Sequence, residues 1–227
     1  GERLEYHGEV YDLPLPGGQG RAIRSLMPPM HIPIYLASLG PTNLRLTGEL
    51  ADGWIGNSFF PEHASVFLDP IREGAESVGR TLDDVELTVS VGLELTDDVD
   101  EAGRRHAAGY AFTFGAMGSA TTNFYLDAFA RQGFGDDVRE VQRLWLAGDR
   151  EAARARVPVE IGLGTNLVGT DDLIRERLRR YRDAGISTLR VGLAGGPMDI
   201  DLDRSMGDLA RLLELVAEVG AEVPSSG

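Results

Sequence analysis

The stretch IPIYLASLGPTNLRLTGELADGWIGNS, residues 32–58, decides the fold of this chain. An apolar run ends at the turn 38–41, an amphipathic segment follows, and a second apolar run starts after Asp52-Gly53. This order is typical of a strand, a tight turn, a helix and a second strand. Pro41 suits the first helical position, where a missing N–H costs nothing, and Gly40 lets a ligand approach the backbone.

The start of this helix is a candidate anion site. The backbone N–H groups of Thr42, Asn43 and Leu44 should point out of the helix end, beside a hydroxyl from Ser38 or Thr42. We predict that a cofactor phosphate binds here. The residues alone leave open the alternative of an ordinary strand-to-helix turn without a ligand, in which Ser38 caps the helix.

Composition restricts the partners of this protein. Its 227 residues include 36 acidic residues and 22 basic ones, all of them Arg, and the net charge is −14. Nucleic acid and anionic membrane surfaces should repel such a chain. No apolar run approaches the roughly 20 residues that span a bilayer. The first ten residues do not form a signal peptide, so we expect a cytoplasmic location.

Two missing residue types exclude several kinds of catalysis. The absence of Cys excludes a thiol nucleophile, a disulfide and a thiolate metal site, and the absence of Lys excludes a Schiff base. The four His residues lie far apart in the sequence, at positions 7, 31, 63 and 106. We therefore expect neither a metal site nor a Ser-His-Asp triad.

Beyond residue 58 the chain continues to alternate strands with helices. The patterns predict strands at 33–38, 53–57, 85–94 and 187–193, and helices at 61–79, 97–114, 170–184 and 204–219. A hairpin with its turn at His7-Gly8 and a loop rich in Pro and Gly precede them. Pro70 should kink or divide its helix. Residues 115–169 read as several short helices with no confident strand, a helical insertion.

The predicted fold class is α/β with parallel strands and right-handed crossovers. Four strands form either a small open sheet or half of a (β/α)8 barrel. The lack of earlier strands and a start in mid-pattern at Gly1 favour the half barrel. We expect residues 1–227 to form a single domain, the C-terminal portion of a TIM-type barrel, with the insertion at about 115–169.

Five segments resemble the luciferase-like oxidoreductases, in particular the branch that uses the deazaflavin coenzyme F420. They are PIYLASLGP at 33–41, LADGWI at 50–55, MGS at 117–119 with NFY at 123–125, VGT at 168–170, and YRDAGISTL at 181–189. The match keeps the family order from about residue 4 to residue 218. The resemblance implies a bacterial-luciferase-like TIM-type barrel in which this chain supplies strands five to eight.

The resemblance also implies a cofactor and its site. The cofactor phosphate would lie at the turn formed by Ala37, Ser38, Leu39, Gly40, Pro41 and Thr42, and Gly56 and Asn57 would lie beside the ring or the tail. Both places fall at the carboxyl ends of strands, where TIM barrels carry their sites. The catalytic residues stay unassigned, because the family's first four strands carry much of the deazaflavin pocket and the usual proton donors.

Three functions follow from this reasoning. The first is an oxidoreductase that transfers hydride between coenzyme F420 and a small organic substrate. The second is a monooxygenase of the same fold that depends on flavin mononucleotide (FMN), and the third is a non-catalytic truncated fragment. Half a barrel would expose two strand edges and an apolar face, so we also expect a homo-oligomer, a dimer.

Three polar residues in predicted strands have two interpretations each. Asn57 is either a ring contact or a loop cap. Glu94 is either a site carboxylate or, as we favour, part of a solvated strand end. Arg190 either faces the barrel interior and pairs with a carboxylate or marks a partly exposed strand.

Overall fold

The computed structural model describes residues 2–24, 27–28, 30–119, 121–193 and 201–222. The chain divides into two compact units, residues 1–33 and residues 34–227. The single domain predicted over residues 1–227 stays a prediction.

The first unit contains the predicted hairpin. Strands β1 (Tyr6–His7) and β2 (Asp12–Leu13) pair antiparallel, with Tyr6 opposite Leu13 and His7 opposite Asp12. The turn spans residues 8–11 and is closed by a hydrogen bond of 2.9 Å from the Gly8 N–H to the Tyr11 carbonyl. The prediction of a turn at His7-Gly8 is wrong, because His7 belongs to the ladder.

The second unit alternates strands with helices. Its strands are β3 (Tyr35–Leu36), β4 (Gly53–Gly56), β5 (Glu86–Leu95), β6 (Leu167–Gly169) and β7 (Thr188–Leu193). Its α-helices are α1 (Pro41–Leu50), α2 (Ser65–Ser77), α3 (Val99–Ala116), α4 (Phe124–Phe129), α5 (Gly135–Leu146), α6 (Arg150–Arg156), α7 (Val159–Gly164), α8 (Asp171–Asp183) and α9 (Leu202–Ala221). Short 3₁₀ turns occupy Pro61–His63 and Leu82–Asp84, and a π turn occupies Ala130–Phe134. Among the described residues, no helix combines the length and the apolarity needed to cross a bilayer.

All strands of the second unit lie in one parallel sheet. The order is β3-β4-β5, and β7 pairs with the other edge of β5. The four predicted strands are therefore consecutive neighbours, which confirms the α/β class with a parallel sheet. In the described part of the chain, β3 and β7 form the two open edges of this sheet. Closure into a TIM-type barrel stays a prediction.

Strand β6 was not expected, because the pattern of residues 115–169 indicated no strand. Its three residues pair with the end of β5, with Leu167 opposite Leu93. Since Leu93 also pairs with Leu193, β6 and β7 occupy opposite edges of β5. A strand of three residues is too short to produce a periodic signal, and only the end of β5 defines it. The helical character of the insertion is confirmed by α4 to α7.

Helix α2 runs through Pro70 without being divided there, so of the two predicted effects, a kink or a division, the division does not occur. A proline removes one N–H from a helix, yet tertiary contacts hold this helix together. α1 and α2 touch backbone to backbone, since a Cβ on Gly48 would lie 1.9 Å from the Ile71 carbonyl oxygen and one on Gly74 would lie 2.0 Å from that of Arg45. The helix break falls instead at Ala64, between the 3₁₀ turn and α2.

Successive side chains of β5 point alternately to the two faces of the sheet. Leu87, Val89, Val91 and Leu93 are buried in the main core, together with residues of α1, α2, α8 and α9. The intervening residues 88, 90, 92 and 94 point to the opposite side, called here the inner face. The helical insertion has a second core, built from Ala107, Ala111 and Phe114 of α3 and from Phe129, Val138, Val141 and Ile161.

Candidate functional site

A cleft of 530 Å³ lies on the inner face at the carboxyl ends of the strands. This strand-end cleft is lined by Ser90 and Gly92 of β5, Arg190 and Gly192 of β7, Tyr110 and Thr113 of α3, Tyr125 of α4, and Asn57 and Ser58 after β4. The strands form its floor, and α3 and α4 stand beside it. Ligands of parallel α/β sheets bind at the carboxyl ends of the strands, so this cleft is the leading candidate for the reacting part of the site.

Helix α3 is fixed to the inner face through Glu94. This carboxylate is 7% exposed, pairs with Arg105, and lies 2.9 Å from the Nε2 atom of His106. The favoured prediction of a solvated strand end is therefore wrong. The sequence could not show the burial, because it arises when α3 folds back over the strand that precedes it. Glu94 thus positions the helix that carries Tyr110 and Thr113.

Gly92 is the point of closest approach between the strand floor and the elements above it. Its N–H donates to Asn166 Oδ1 at 2.7 Å. A Cβ at this position would lie 2.9 Å from that same oxygen and 3.1 Å from the His106 ring. A glycine is required here because any side chain would displace Asn166 or His106.

Tyr110 supplies a buried phenol to the wall of the cleft. Its hydroxyl lies 2.8 Å from the Thr165 hydroxyl, which donates its own proton to the Ile161 carbonyl oxygen at 2.6 Å. Tyr110 is therefore the donor in the first of these bonds. Burial raises the pKa of Tyr110, and hydrogen bonds to Thr165 and Asn166 partly oppose that rise. The phenol stays protonated near neutral pH, with its proton held by Thr165.

The loop after β4 carries Asn57 to the cleft. Asn57 lines the cleft, and its Oδ1 accepts a hydrogen bond of 3.2 Å from the Ser58 hydroxyl. Ser58 has a φ of 59°, in the left-handed region that non-glycine residues rarely adopt. Gly56 has a packing reason for being glycine, because a Cβ there would lie 2.3 Å from the Trp54 ring. The predicted cofactor contacts of Gly56 and Asn57 stay predictions.

The predicted turn at residues 37–42 leads directly into α1. Gly40 is the N-cap, Pro41 is the first helical residue, and no side chain caps the helix. The Leu44 N–H donates to the Gly40 carbonyl at 3.0 Å, so the prediction that it is free is wrong. The N-cap carbonyl accepts the first helical bond from the fourth residue, which leaves the N–H groups of Thr42 and Asn43 for a ligand.

Gly40 leaves open space at this helix end. Its φ of −78° and ψ of 147° are available to any residue, and a Cβ there would meet nothing within 4 Å. The turn itself therefore does not require a glycine. What the missing side chain provides is room beside the N–H groups of Thr42 and Asn43.

Ser38 is buried, and its hydroxyl belongs to an internal chain of hydrogen bonds. The Thr47 hydroxyl donates to the Asn43 carbonyl oxygen at 2.8 Å, so the Ser38 hydroxyl donates to Thr47 Oγ1, also at 2.8 Å. The Ser38 carbonyl oxygen accepts from Trp54 Nε1 at 2.9 Å. Ser38 does not cap the helix. The hydroxyl proton of Ser38 is therefore already donated to Thr47, and the predicted phosphate contact of Ser38 stays a prediction.

A second depression, the α1 groove, has a volume of 370 Å³. It is lined by Gly40, Pro41, Thr42, Asn43, Phe124, Asp127 and Arg131. Ala37 is exposed beside this turn, and Leu39 packs its side chain against the main core. Of the predicted turn residues, Gly40, Pro41 and Thr42 line the α1 groove, whereas Asn57 lines the strand-end cleft.

Arg131 is the residue of the α1 groove that the sequence did not reveal. Its Nη2 donates to the Leu39 carbonyl oxygen at 2.5 Å, and its guanidinium lies 5.7 Å from the centre of the Phe67 ring. Burial lowers the pKa of Arg131, and the nearby Asp127 carboxylate opposes that shift. An arginine within the predicted helix 121–132 was the only local signal, and nothing in it pointed to a turn 92 residues earlier.

The donor set of the site favours an organic ligand over a metal. In the part of the chain that the structure describes, no three His, Asp or Glu side chains gather as a metal site would require. The α1 groove offers a guanidinium and helical N–H groups, which suit an anion. The strand-end cleft offers hydroxyls, an amide and a guanidinium.

The architecture defines an α/β protein with a parallel sheet, and its candidate site lies at the carboxyl ends of the strands. Comparison with known families identifies the family of the chain, since the profile of the luciferase-like monooxygenase family matches residues 1–188. The chain belongs to this family.

Two curated relatives show the level of similarity. A protein of Mycobacterium tuberculosis, provisionally named a coenzyme F420-dependent oxidoreductase, is 32% identical over 196 residues, which cover 83% of this chain and 56% of the relative. The 5,10-methylenetetrahydromethanopterin reductase of Methanopyrus kandleri is 26% identical over 200 residues, which cover 87% of this chain and 54% of the reductase. The chain therefore spans about half the length of these relatives.

A solved structure agrees with the fold. An F420-dependent secondary alcohol dehydrogenase, determined with an F420-acetone adduct, superimposes with a TM-score of 0.62 at 17% identity. The match covers 94% of this chain and 56% of the dehydrogenase chain. At this identity the likeness supports the luciferase-like fold alone.

Proposed function

We propose that this chain is the C-terminal portion of a coenzyme F420-dependent oxidoreductase, which transfers hydride between F420 and a small organic substrate. The relative of Mycobacterium tuberculosis, which matches 83% of the chain, is named for this coenzyme. This similarity supports a redox function linked to F420. The strand-end cleft holds the reacting ring and the substrate in this proposal, and the α1 groove holds the phosphate of the coenzyme.

The α1 groove is the observation that carries the proposal. Two N–H groups at the start of a helix of ten residues, open space at Gly40, and the Arg131 guanidinium come together at one place. Each of these features favours a bound anion. Asp127 also lines the groove, and its charge offsets part of that attraction.

Coenzyme F420, when bound, supplies the carbon that accepts or releases hydride. The residues of this chain do the binding and the positioning. Thr42, Asn43 and Arg131 fix the phosphate, and Asn57 lies at the mouth of the strand-end cleft. Glu94 holds α3 above the cleft, which reduces the access of water to the inner face.

The remaining half of a TIM-type barrel is part of the same proposal. β3 and β7 are open edges of the sheet among the described residues, and the chain covers about half of each relative. The coding sequence upstream of Gly1 tests this part. We expect it to encode four further strand–helix units, and an upstream stop codon with no such units would contradict the half-barrel reading.

A dimer is proposed on separate grounds. Apolar side chains of α9 face outward, namely Leu202, Met206, Leu213 and Val216, which are 66%, 57%, 63% and 45% exposed. A second copy of the chain or the other half of the barrel would cover them. Size-exclusion chromatography with light scattering distinguishes a dimer from a monomer, and a stable monomer contradicts the dimer.

Fluorescence titration separates the three candidate functions. The purified chain is titrated with F420 and, in parallel, with FMN. Selective binding of F420 supports the proposal, and preference for FMN supports a flavin-dependent monooxygenase, in line with the family's name. Binding of neither cofactor supports a non-catalytic fragment and contradicts the proposal.

A further inference from the structure

Arg190 lies on the floor of the strand-end cleft. Its neighbours Leu189 and Val191 pack against the main core, so the Arg190 side chain points to the opposite, inner face. It stands opposite Ser90 of β5 in the parallel register, and it is exposed. Arg190 thus lies on the inner face of the sheet, as the first interpretation of the sequence expected. It is also exposed, as the second interpretation expected.

Arg190 has no ion-pair, hydrogen-bond or aromatic partner within the described residues. Most of the 22 arginines of the chain have such a partner in the described structure. On the outer helices, by contrast, Arg175, Arg179 and Arg211 each pair with carboxylates. One interpretation of the sequence was that Arg190 pairs with a carboxylate. Among the described residues, no carboxylate pairs with it.

The lining of the cleft adds a second, independent observation. Apart from Arg190, the described residues that line it are uncharged, and they include the polar side chains of Asn57, Ser90, Tyr110 and Tyr125. An unpaired guanidinium in a partly enclosed space, with no acidic neighbour in its walls, is set up to bind an anion. Its planar fork fits the two oxygens of a carboxylate or of a phosphate monoester.

We propose that Arg190 binds the anionic group of the substrate, which is therefore a small organic acid, either a carboxylate or a phosphate monoester. This inference rests on the proposed function, since it names the substrate class of the same site. It differs from the phosphate site of the coenzyme, because the α1 groove and the strand-end cleft share no lining residue. Arg190 acts as a specificity residue: neutral substrates would leave its charge without a partner.

The test uses the chain labelled with 15N-arginine and follows the Nε–Hε signals by NMR. Inorganic phosphate and succinate are the probes, added at constant ionic strength, and the Arg190 signal is the one lost in Arg190→Lys. We expect this signal to shift saturably with at least one probe, and the stronger probe identifies the group. Arg154 is the matched control, because it is exposed on α6 and lies outside any ion pair of the described residues.

Calorimetric titration with the same probe gives a second readout. Arg190→Gln should weaken binding by at least about tenfold, the loss expected for one charge-assisted contact. Arg154→Gln should change the affinity less than twofold, and both variants should keep the thermal midpoint of the parent. Equal responses of Arg190 and Arg154, or no saturable response at Arg190, would overturn the inference.

The outcome is separable from that of the proposed function. F420 binding with an unresponsive Arg190 would leave the coenzyme assignment standing and remove the substrate class. A saturable response at Arg190 without F420 binding would keep the anion site and remove the coenzyme.

Discussion

The side chain of Gln132 holds Ser58 in place: its Nε2 donates to the Ser58 carbonyl oxygen at 2.7 Å, across 74 residues of sequence. The Oε1 of the same amide accepts from the Phe60 N–H at 2.9 Å, and Gln132 is 1% exposed. One buried amide therefore bonds to two backbone groups, the Ser58 carbonyl oxygen and the Phe60 N–H, in the loop that carries Asn57 to the strand-end cleft. The strained φ of Ser58 is maintained by this double contact.

Gln132→Leu should lower the free energy of unfolding by about 2–6 kcal/mol. The change leaves two buried backbone groups without partners, and each costs roughly 1–3 kcal/mol. Urea denaturation measures the loss. Gln142→Leu is the control, since Gln142 is half-buried on α5 and its side chain bonds to nothing in the described structure. Equal effects of the two substitutions would show that the amide of Gln132 does not hold the loop.

Gly92→Ala and Gly109→Ala should change stability in opposite directions. The first adds a Cβ 2.9 Å from Asn166 Oδ1, and the displacement should cost about 1–3 kcal/mol. The second adds a Cβ that meets nothing within 4 Å in the middle of α3, and it should stabilise by up to about 1 kcal/mol. Thermal unfolding of both variants tests the claim that position 92 has no room for a side chain. A gain of stability in both variants would refute that claim.

Glu62 should make stability depend on pH in the acid range. Burial alone would raise the pKa of Glu62, but a backbone hydrogen bond and the cations of Arg177 and Arg180 outweigh it and lower the pKa below the usual 4.5. A carboxylate whose pKa is lower in the folded than in the unfolded protein stabilises the folded state at pH values above its unfolded pKa. This contribution disappears as the pH falls through the folded pKa.

The measurement compares the parent chain with Glu62→Gln at pH 7 and at pH 3. The variant should be less stable at pH 7, by about 1 kcal/mol or less because the pair is partly exposed, and the difference should shrink as the pH falls to 3. Glu151→Gln, at an exposed position outside any ion pair of the described residues, should show no difference at either pH. A gap for Glu62→Gln that is as large at pH 3 as at pH 7 would show that lost packing, not charge, is responsible.

Ser38→Ala should cost stability and leave F420 binding nearly unchanged. The Ser38 hydroxyl donates to Thr47 inside the protein, so its loss should destabilise by about 1 kcal/mol. F420 affinity should change less than twofold, because the backbone N–H groups of Thr42 and Asn43 remain. Fluorescence titration and thermal unfolding of one variant measure both quantities. A tenfold loss of affinity would contradict this expectation and support the predicted contact between Ser38 and the phosphate.

The sequence predicted the framework of the sheet because that framework depends on local patterns. Apolar runs, the proline at the start of α1 and the glycine after α8 mark the ends of elements, and four parallel strands in this order follow from them. The site depends on contacts between distant residues. Arg131 reaches Leu39 and Gln132 reaches Ser58 from the insertion, and α3 covers Glu94, because the insertion folds back over the sheet. No local pattern encodes that return.

The hydrogen-bond partners at the predicted turn also could not be predicted from the neighbouring residues in the sequence. The sequence identified the correct helix start at Pro41, but it assigned a free N–H to Leu44 and an outward hydroxyl to Ser38. Both groups are used inside the protein, through Gly40 and Thr47, which only the packed helix reveals. The strand β6 was missed for the same reason, since its pairing with β5 defines it.

Titration of F420 against Gly40→Val and Arg131→Gln tests the phosphate assignment of the α1 groove most directly. Valine fits the backbone angles of Gly40 and fills the open space beside the helical N–H groups, and glutamine removes the cation. Each variant should weaken F420 binding by at least about tenfold, the loss expected for one charge-assisted contact. Arg139→Gln, which removes an exposed cation paired with Asp136 on α5, should change the affinity less than twofold. Unchanged F420 affinity in both Gly40→Val and Arg131→Gln would contradict the claim that the turn before α1 binds the coenzyme phosphate.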